Sequence, residues 1–262
     1  MSEQPSPMNS PTPVATAAPN AEPLMTTPET LTGIFFEPER TFETLKARPR
    51  FLVAGLITVV VFMIFYVAFV QYLGPETIAE AQIRARNPDI TQEQLSQALA
   101  MQSSPVVQAI TYASFPVVFA IIFAAGAGLY LLGTMAMAKS MTYKQALAVW
   151  VYSSMPPTVV FVLVNILLLF LKAKDDIDPT AINSNSGLAR ANLSLLVNSK
   201  EQPVLAALLG SFDLFAFYGL FLAALGLRKV GRLSSGSAWG IVIAIWLVGV
   251  IIRVSMAAAF GG

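Results

Sequence analysis

Three polar side chains stand in long apolar runs: Asn165 in PPTVVFVLVNILLLFL, Asp213 in LAALLGSFDLFAFYG and Arg253 in IVIAIWLVGVIIRV. A carboxylate, a guanidinium and an amide could pair, relay a proton or hold an ion. Charged groups inside a bilayer are costly, so their default reading is functional. Pro156 and Pro157 remove two backbone donors from the same run as Asn165, which should kink or break it. A hinge there and an ordinary packing kink are both open readings. Asp175, Asp176 and Asp178 suggest calcium, but the Gly turn and distal Glu of an EF-hand loop are missing, so a solvated acidic loop is the better reading.

The rest of the composition narrows the chemistry. The chain has no Cys and no His, so disulfides, thiolate or imidazole metal sites and the usual general base are excluded. Acid–base work would rest on fifteen carboxylates, most of them in loops or the tail. We therefore expect no catalytic set, no cofactor and no metal. A net charge of +1 gives no basic face for nucleic acid.

These groups need a membrane scaffold to position them. With 55% hydrophobic and 12% charged residues and a mean hydropathy of +0.65, the chain suits a bilayer. Five runs approach the ~20 residues a hydrocarbon core requires: about 51–73, 106–138, 146–171, 204–227 and 238–260. The predicted fold is all-α, a polytopic five-transmembrane-helix bundle. In the second run Ala120, Ala124 and Gly128 repeat small residues and would let a helix approach closely. The long polar segments are 74–105 and 172–203. The first reads as two short helices, the second of them opened by a Thr91–Gln94 capping box.

Charge sets the orientation. The short turns carry Lys139, Lys144, Arg228, Lys229 and Arg232 with no acid, and Arg40, Lys46, Arg48 and Arg50 precede the first run. The positive-inside rule makes these cytoplasmic, N-in and C-out. The long segments hold six bases against eight acids and fall outside. At ~1.5 Å per residue, Asp213 lies roughly 20 Å from the cytoplasmic end of its span and Arg253 roughly 22 Å up the next. Asn165 is about 9 Å from the outer end of its own. The expectation is one polar layer in the outer leaflet, with Asp213 and Arg253 paired and Asn165 nearby. That layer fixes helix register, snorkels, or serves transport.

Residues 1–28, rich in Pro, Ser, Thr and Ala, read as a disordered tail without a signal peptide. In 29–50, Phe35, Phe36 and Phe42 recur at roughly helical spacing among Arg40, Lys46 and Arg48, which predicts an amphipathic juxtamembrane segment on the membrane surface.

IFFEPERTFETLKARP at Ile34–Pro49, YSSMPP at Tyr152–Pro157 and SFDLFAFYGLFLAALGLRKVGRLSSGSAW at Ser211–Trp239 together resemble the Yip domain. This is the family of Ypt/Rab-GTPase-interacting multi-pass membrane proteins and their bacterial relatives. The resemblance covers about residues 30–260 and implies five helices with a cytoplasmic N-terminus. Eukaryotic members are linked to vesicle traffic, Rab GTPases and membrane shaping. The polar outer loops and plain tail look more like the bacterial members, which implies a cytoplasmic (inner) membrane location. The family supplies no catalytic residue.

The expected function is that of a non-enzymatic membrane-organising, scaffold or assembly factor. Its partners would be the lipid bilayer and other membrane proteins or a second copy of itself. The rival is a small-solute or ion transporter built on the polar layer; in that reading the layer is reached by water.

Overall fold

A computed structural model describes residues 23–181, 187–189, 191–199 and 201–260. Most of the expected tail, 1–22, lies outside them. Its last residues do not behave as a tail: Met25 is buried, and Thr26 opens helix α1 (Thr27–Phe36). The local code is a capping box, in which Thr26 Oγ1 accepts from Glu29 N at 3.4 Å and Glu29 Oε2 from Thr26 N at 2.7 Å. Pro38 disfavours helix at the residue before it. The chain turns at Glu37 and starts again as α2 (Pro38–Ala47).

The α1–α2 hairpin corrects the expected surface helix. Its apolar face is turned into protein, with Ile34, Phe42 and Leu45 fully buried against α7 (Tyr143–Leu171) and α9 (Leu214–Val230). Phe42 sits over Gly226, where any added Cβ would strike its ring. Lys229 reaches Glu39 at 2.9 Å and Glu43 at 2.8 Å, and Arg228 bonds Glu39. The Lys229 hydrogen bond holds the Glu39 carboxyl below its ordinary range. Thr30 Oγ1 lies 3.0 Å from Tyr152 Oη, and Gln145 Nε2 donates to Lys46 O at 2.8 Å. Phe35 is half-buried on the same core, Arg40 pairs with Glu37 at 3.2 Å, and Arg48 is exposed. Of the three phenylalanines Phe36 alone stays exposed, at 84%.

Among the described residues four helices are long and apolar enough to cross a membrane. They are α3 (Leu52–Leu73), α6 (Pro105–Ala136), α7 (Tyr143–Leu171) and α10 (Ser235–Phe260). Between α3 and α6, α4 (Pro75–Arg86) and α5 (Gln92–Gln102) are the two short helices expected, and α5 starts on its Thr91–Gln94 box. The expected fourth span, 204–227, is not one helix. It divides into α8 (Pro203–Leu209) and the 17-residue α9 (Leu214–Val230).

Aromatic and glycine contacts fix how the helices run. α3 is parallel to α7, with Phe65 on Phe161 and Tyr72 on Phe170. α6 is antiparallel to α3, with Phe62 on Phe119 and Tyr66 on Tyr112. α9 is antiparallel to α7, Gly226 meeting Val149, Gly219 meeting Ser153 and Pro157, and Phe215 stacking on Phe161. Two apolar clusters result. One, beside the hairpin, joins Ile34, Phe42, Val149, Tyr152 and Leu227; the other, at the distal end, joins Phe65, Phe69, Val162, Leu169 and Ile177.

The small residues expected to seat a neighbour on α6 do not: Ala120 and Ala124 are exposed, and a Cβ on Gly128 would meet nothing. The close approaches fall on Gly126, against the Trp150 ring, and on Gly133, against Ile241 of α10.

Candidate functional site

The break between α8 and α9 is what places Asp213. The sequence predicts it inside a continuous span, paired with Arg253 in the outer leaflet; it is the N-cap of α9. Its Oδ1 accepts from Phe215 N at 2.9 Å and Ala216 N at 3.0 Å. Residues 192 and 213 form an antiparallel bridge, and Asn192 Nδ2 lies 3.5 Å from Asp213 Oδ2. Helix N-terminal N–H groups are orphan donors on a positive dipole end, so they stabilise this carboxylate where it stands.

Arg253 is not its partner. The guanidinium Nη1 meets Ser211 Oγ at 3.4 Å, and among the described residues no carboxylate lies within 4.0 Å of it. Asn165 is fully buried and does a third thing. Its Oδ1 accepts from Leu188 N at 2.5 Å and Ala189 N at 3.2 Å, while its Nδ2 donates to Phe161 O at 2.8 Å. It clasps the segment at 187–189, where Gly187 takes the left-handed φ of +53°. The structure therefore gives the three expected layer residues three separate jobs.

This separation has a measurable consequence. Asp213→Asn keeps an acceptor for the cap, so it should cost little, well under the ~0.5–2 kcal/mol of losing an N-cap. Combined with Arg253→Gln, the two stability changes should add within ~0.5 kcal/mol in micelle unfolding titrations. A coupling above that would restore the ion pair.

Pro156 and Pro157 do not break their helix. α7 runs through both, buried. The two prolines free the carbonyls of Tyr152 and Ser153, four residues back. Gly219 of α9 packs over Ser153 O, where a Cβ would sit at 3.6 Å. Hydroxyls brace the same turns: Ser153 and Ser154 donate to Trp150 O at 3.0 and 2.8 Å, and Thr158 donates to Ser154 O at 2.8 Å. Neighbouring backbone and Ser/Thr groups are what let Pro persist in a membrane helix.

In front of this wall is a cavity of about 650 Å³ enclosed by α3, α6, α7, α9 and α10. Its sides are aromatic: Phe62, Phe119, Phe161, Phe215 and Trp246. Its floor, toward the hairpin, is Tyr130 and Trp150, with ring centroids 4.8 Å apart above the packed cluster of Ile34, Phe42 and Val149. At the distal end stand Ser211, Asp213 and Arg253. Asn165 lies behind, and among the described residues of the loop it clasps Gly187 reaches the lining. Sequence reasoning found Asp213 and Arg253 but missed Ser211, Trp150 and Trp246. Serine and tryptophan in apolar runs carry no sign of which face they occupy.

Among the described lining residues Arg253 is the one cation. The Ser153 and Ser154 hydroxyls are spent on a backbone carbonyl, not aimed by a base. Among the described residues no group of three or more His, Cys, Asp or Glu is placed to hold a metal.

The chain matches the family model of the Yip1 domain over residues 32–256. No curated protein and no solved structure matches the chain.

Proposed function

The chain belongs to the Yip1 domain family, and we propose that it works as a non-enzymatic membrane-organising scaffold of the inner membrane, N-in and C-out. In this reading α9, though short at ~26 Å, serves as the fifth crossing beside α7. The observation that carries the reading is the α1–α2 hairpin, latched to α9 by Glu39, Glu43, Arg228 and Lys229 and to α7 by Thr30–Tyr152. A helix pair held this firmly presents Phe36, Arg40 and Arg48 at a fixed height for another membrane protein or a second copy.

A photo-crosslinking amino acid at Phe36 should give discrete protein adducts in intact cells. The adducts should vanish with Glu39→Lys/Glu43→Lys and return when Arg228→Glu/Lys229→Glu is added. Adducts to lipid alone would overturn the scaffold reading.

The transporter reading keeps one observation in its favour, the cavity that reaches Asp213 and Arg253. Against it, the cavity is blind toward the hairpin, where Trp150 and Tyr130 close it.

A further inference from the structure

The cavity has an unusual division of charge. Asp213 is satisfied by two backbone N–H groups. Arg253 carries five N–H donors, and among the described residues it makes a single contact, to Ser211 at 3.4 Å. A half-buried guanidinium with spare donors favours a carboxylate or phosphate, which it can take bidentately. Below it the lining is apolar and aromatic down to Trp150. One cation above an apolar shaft is the complement of an anionic amphiphile.

Depth and access point to the source. Arg253 lies eighteen residues along α10 from Ser235, ~27 Å from the hairpin-side end, close to the far edge of a ~30 Å hydrocarbon layer. That is headgroup height in the distal leaflet. α6 and α10 touch where Gly133 meets Ile241, near the hairpin side. Beyond that crossing Phe119 turns to Phe62 and Phe123, and Trp246 turns to Phe212 and Phe217. Gly249 lines the cavity, and a Cβ placed on it would meet no atom within 4 Å. The gap between the two helices therefore opens sideways, toward lipid.

We propose that this cavity binds one anionic phospholipid of the distal leaflet, entering between α6 and α10, with its phosphate on Arg253 and one acyl chain along Phe119, Trp246 and Trp150; the Ser211 hydroxyl, which donates to Ala207 O at 3.0 Å, steadies the guanidinium. The volume of about 650 Å³ falls within the ~300–1,000 Å³ usual for small-molecule sites. It houses one chain, and the second remains in the bilayer through the lateral gap.

The test uses the full chain carrying Trp239→Phe, so that only Trp150 and Trp246 report. In micelles it is titrated with phosphatidylglycerol or phosphatidylcholine bearing the same brominated chains. Phosphatidylglycerol should quench at about tenfold lower concentration, the difference expected for a charge-assisted pair. Arg253→Gln should erase that preference, and Arg253→Lys should retain part of it. Gly249→Leu, which adds its side chain into open space, should block quenching by both lipids while leaving the melting temperature unchanged. Equal quenching by both lipids, or a preference that survives Arg253→Gln, overturns the proposal. So does displacement by millimolar inorganic phosphate, which would mark a site for free anions.

Discussion

Phe42→Ala should lower unfolding stability in micelles by about 3–5 kcal/mol, the usual range for truncating a fully buried Phe. The ring has no exposed surface and fills the seat that Gly226 leaves on α9. Removing it leaves a void between α2, α7 and α9 that cannot collapse easily. Gly226 already brings Val149 to contact distance, and α7 is held on its far side by α3. Proteolysis should read the same change locally. The α1–α2 hairpin of the variant should be cut by trypsin at Lys46 and Arg50 well before the membrane helices are lost. A loss under 1 kcal/mol would mean that the ion pairs alone hold the hairpin, and that Phe42 is no keystone.

The second large effect is expected at Asn165. Asn165→Leu keeps the volume but strands the N–H groups of Leu188 and Ala189 beside a buried site, and unsatisfied donors cost ~1–3 kcal/mol each. A loss of about 2–4 kcal/mol is expected, with faster amide exchange confined to 187–189 and 191–199. Asn165→Asp should be milder, because the neutral acid still accepts both bonds on its carbonyl oxygen and its O–H can donate to Phe161 O in place of Nδ2. If Leu and Asp cost the same, the clasp is not what Asn165 contributes.

Length and hydropathy made most of the bundle readable. The extents of α3, α7 and α10 follow from apolar runs and flanking basic turns, and the start of α5 from its Thr91 box, all of which are local. The failures are non-local. Whether SFDLF continues a helix depends on Asn192 and Ala191, which pair with Asp213 and Leu214 across some twenty residues and draw the chain into extended form at the cap. A carboxylate in an apolar run reads as an intramembrane charge, but Ser-Phe-Asp also has the residue type an N-cap prefers. Likewise 29–50 has the pattern of a surface helix. Nothing within that stretch shows that Glu39 and Glu43 face Arg228 and Lys229, which are more than 180 residues away. The prolines of α7 misled for the same reason: the group that tolerates them, Gly219, is on another helix.

That distance along the chain also orders events during synthesis. The hairpin leaves the ribosome first, yet both its seats, α7 and α9, come later, and the Glu43–Lys229 contact closes across 186 residues. At ~5–20 residues per second, the nascent hairpin spends ~10–40 s with Ile34, Phe42 and Leu45 uncovered. Its docking accordingly waits for α9, and a chain that stops before α9 is left displaying an apolar flag to chaperones and proteases. The latch thus doubles as a proofreading signal, one that a copy lacking α9 cannot switch off.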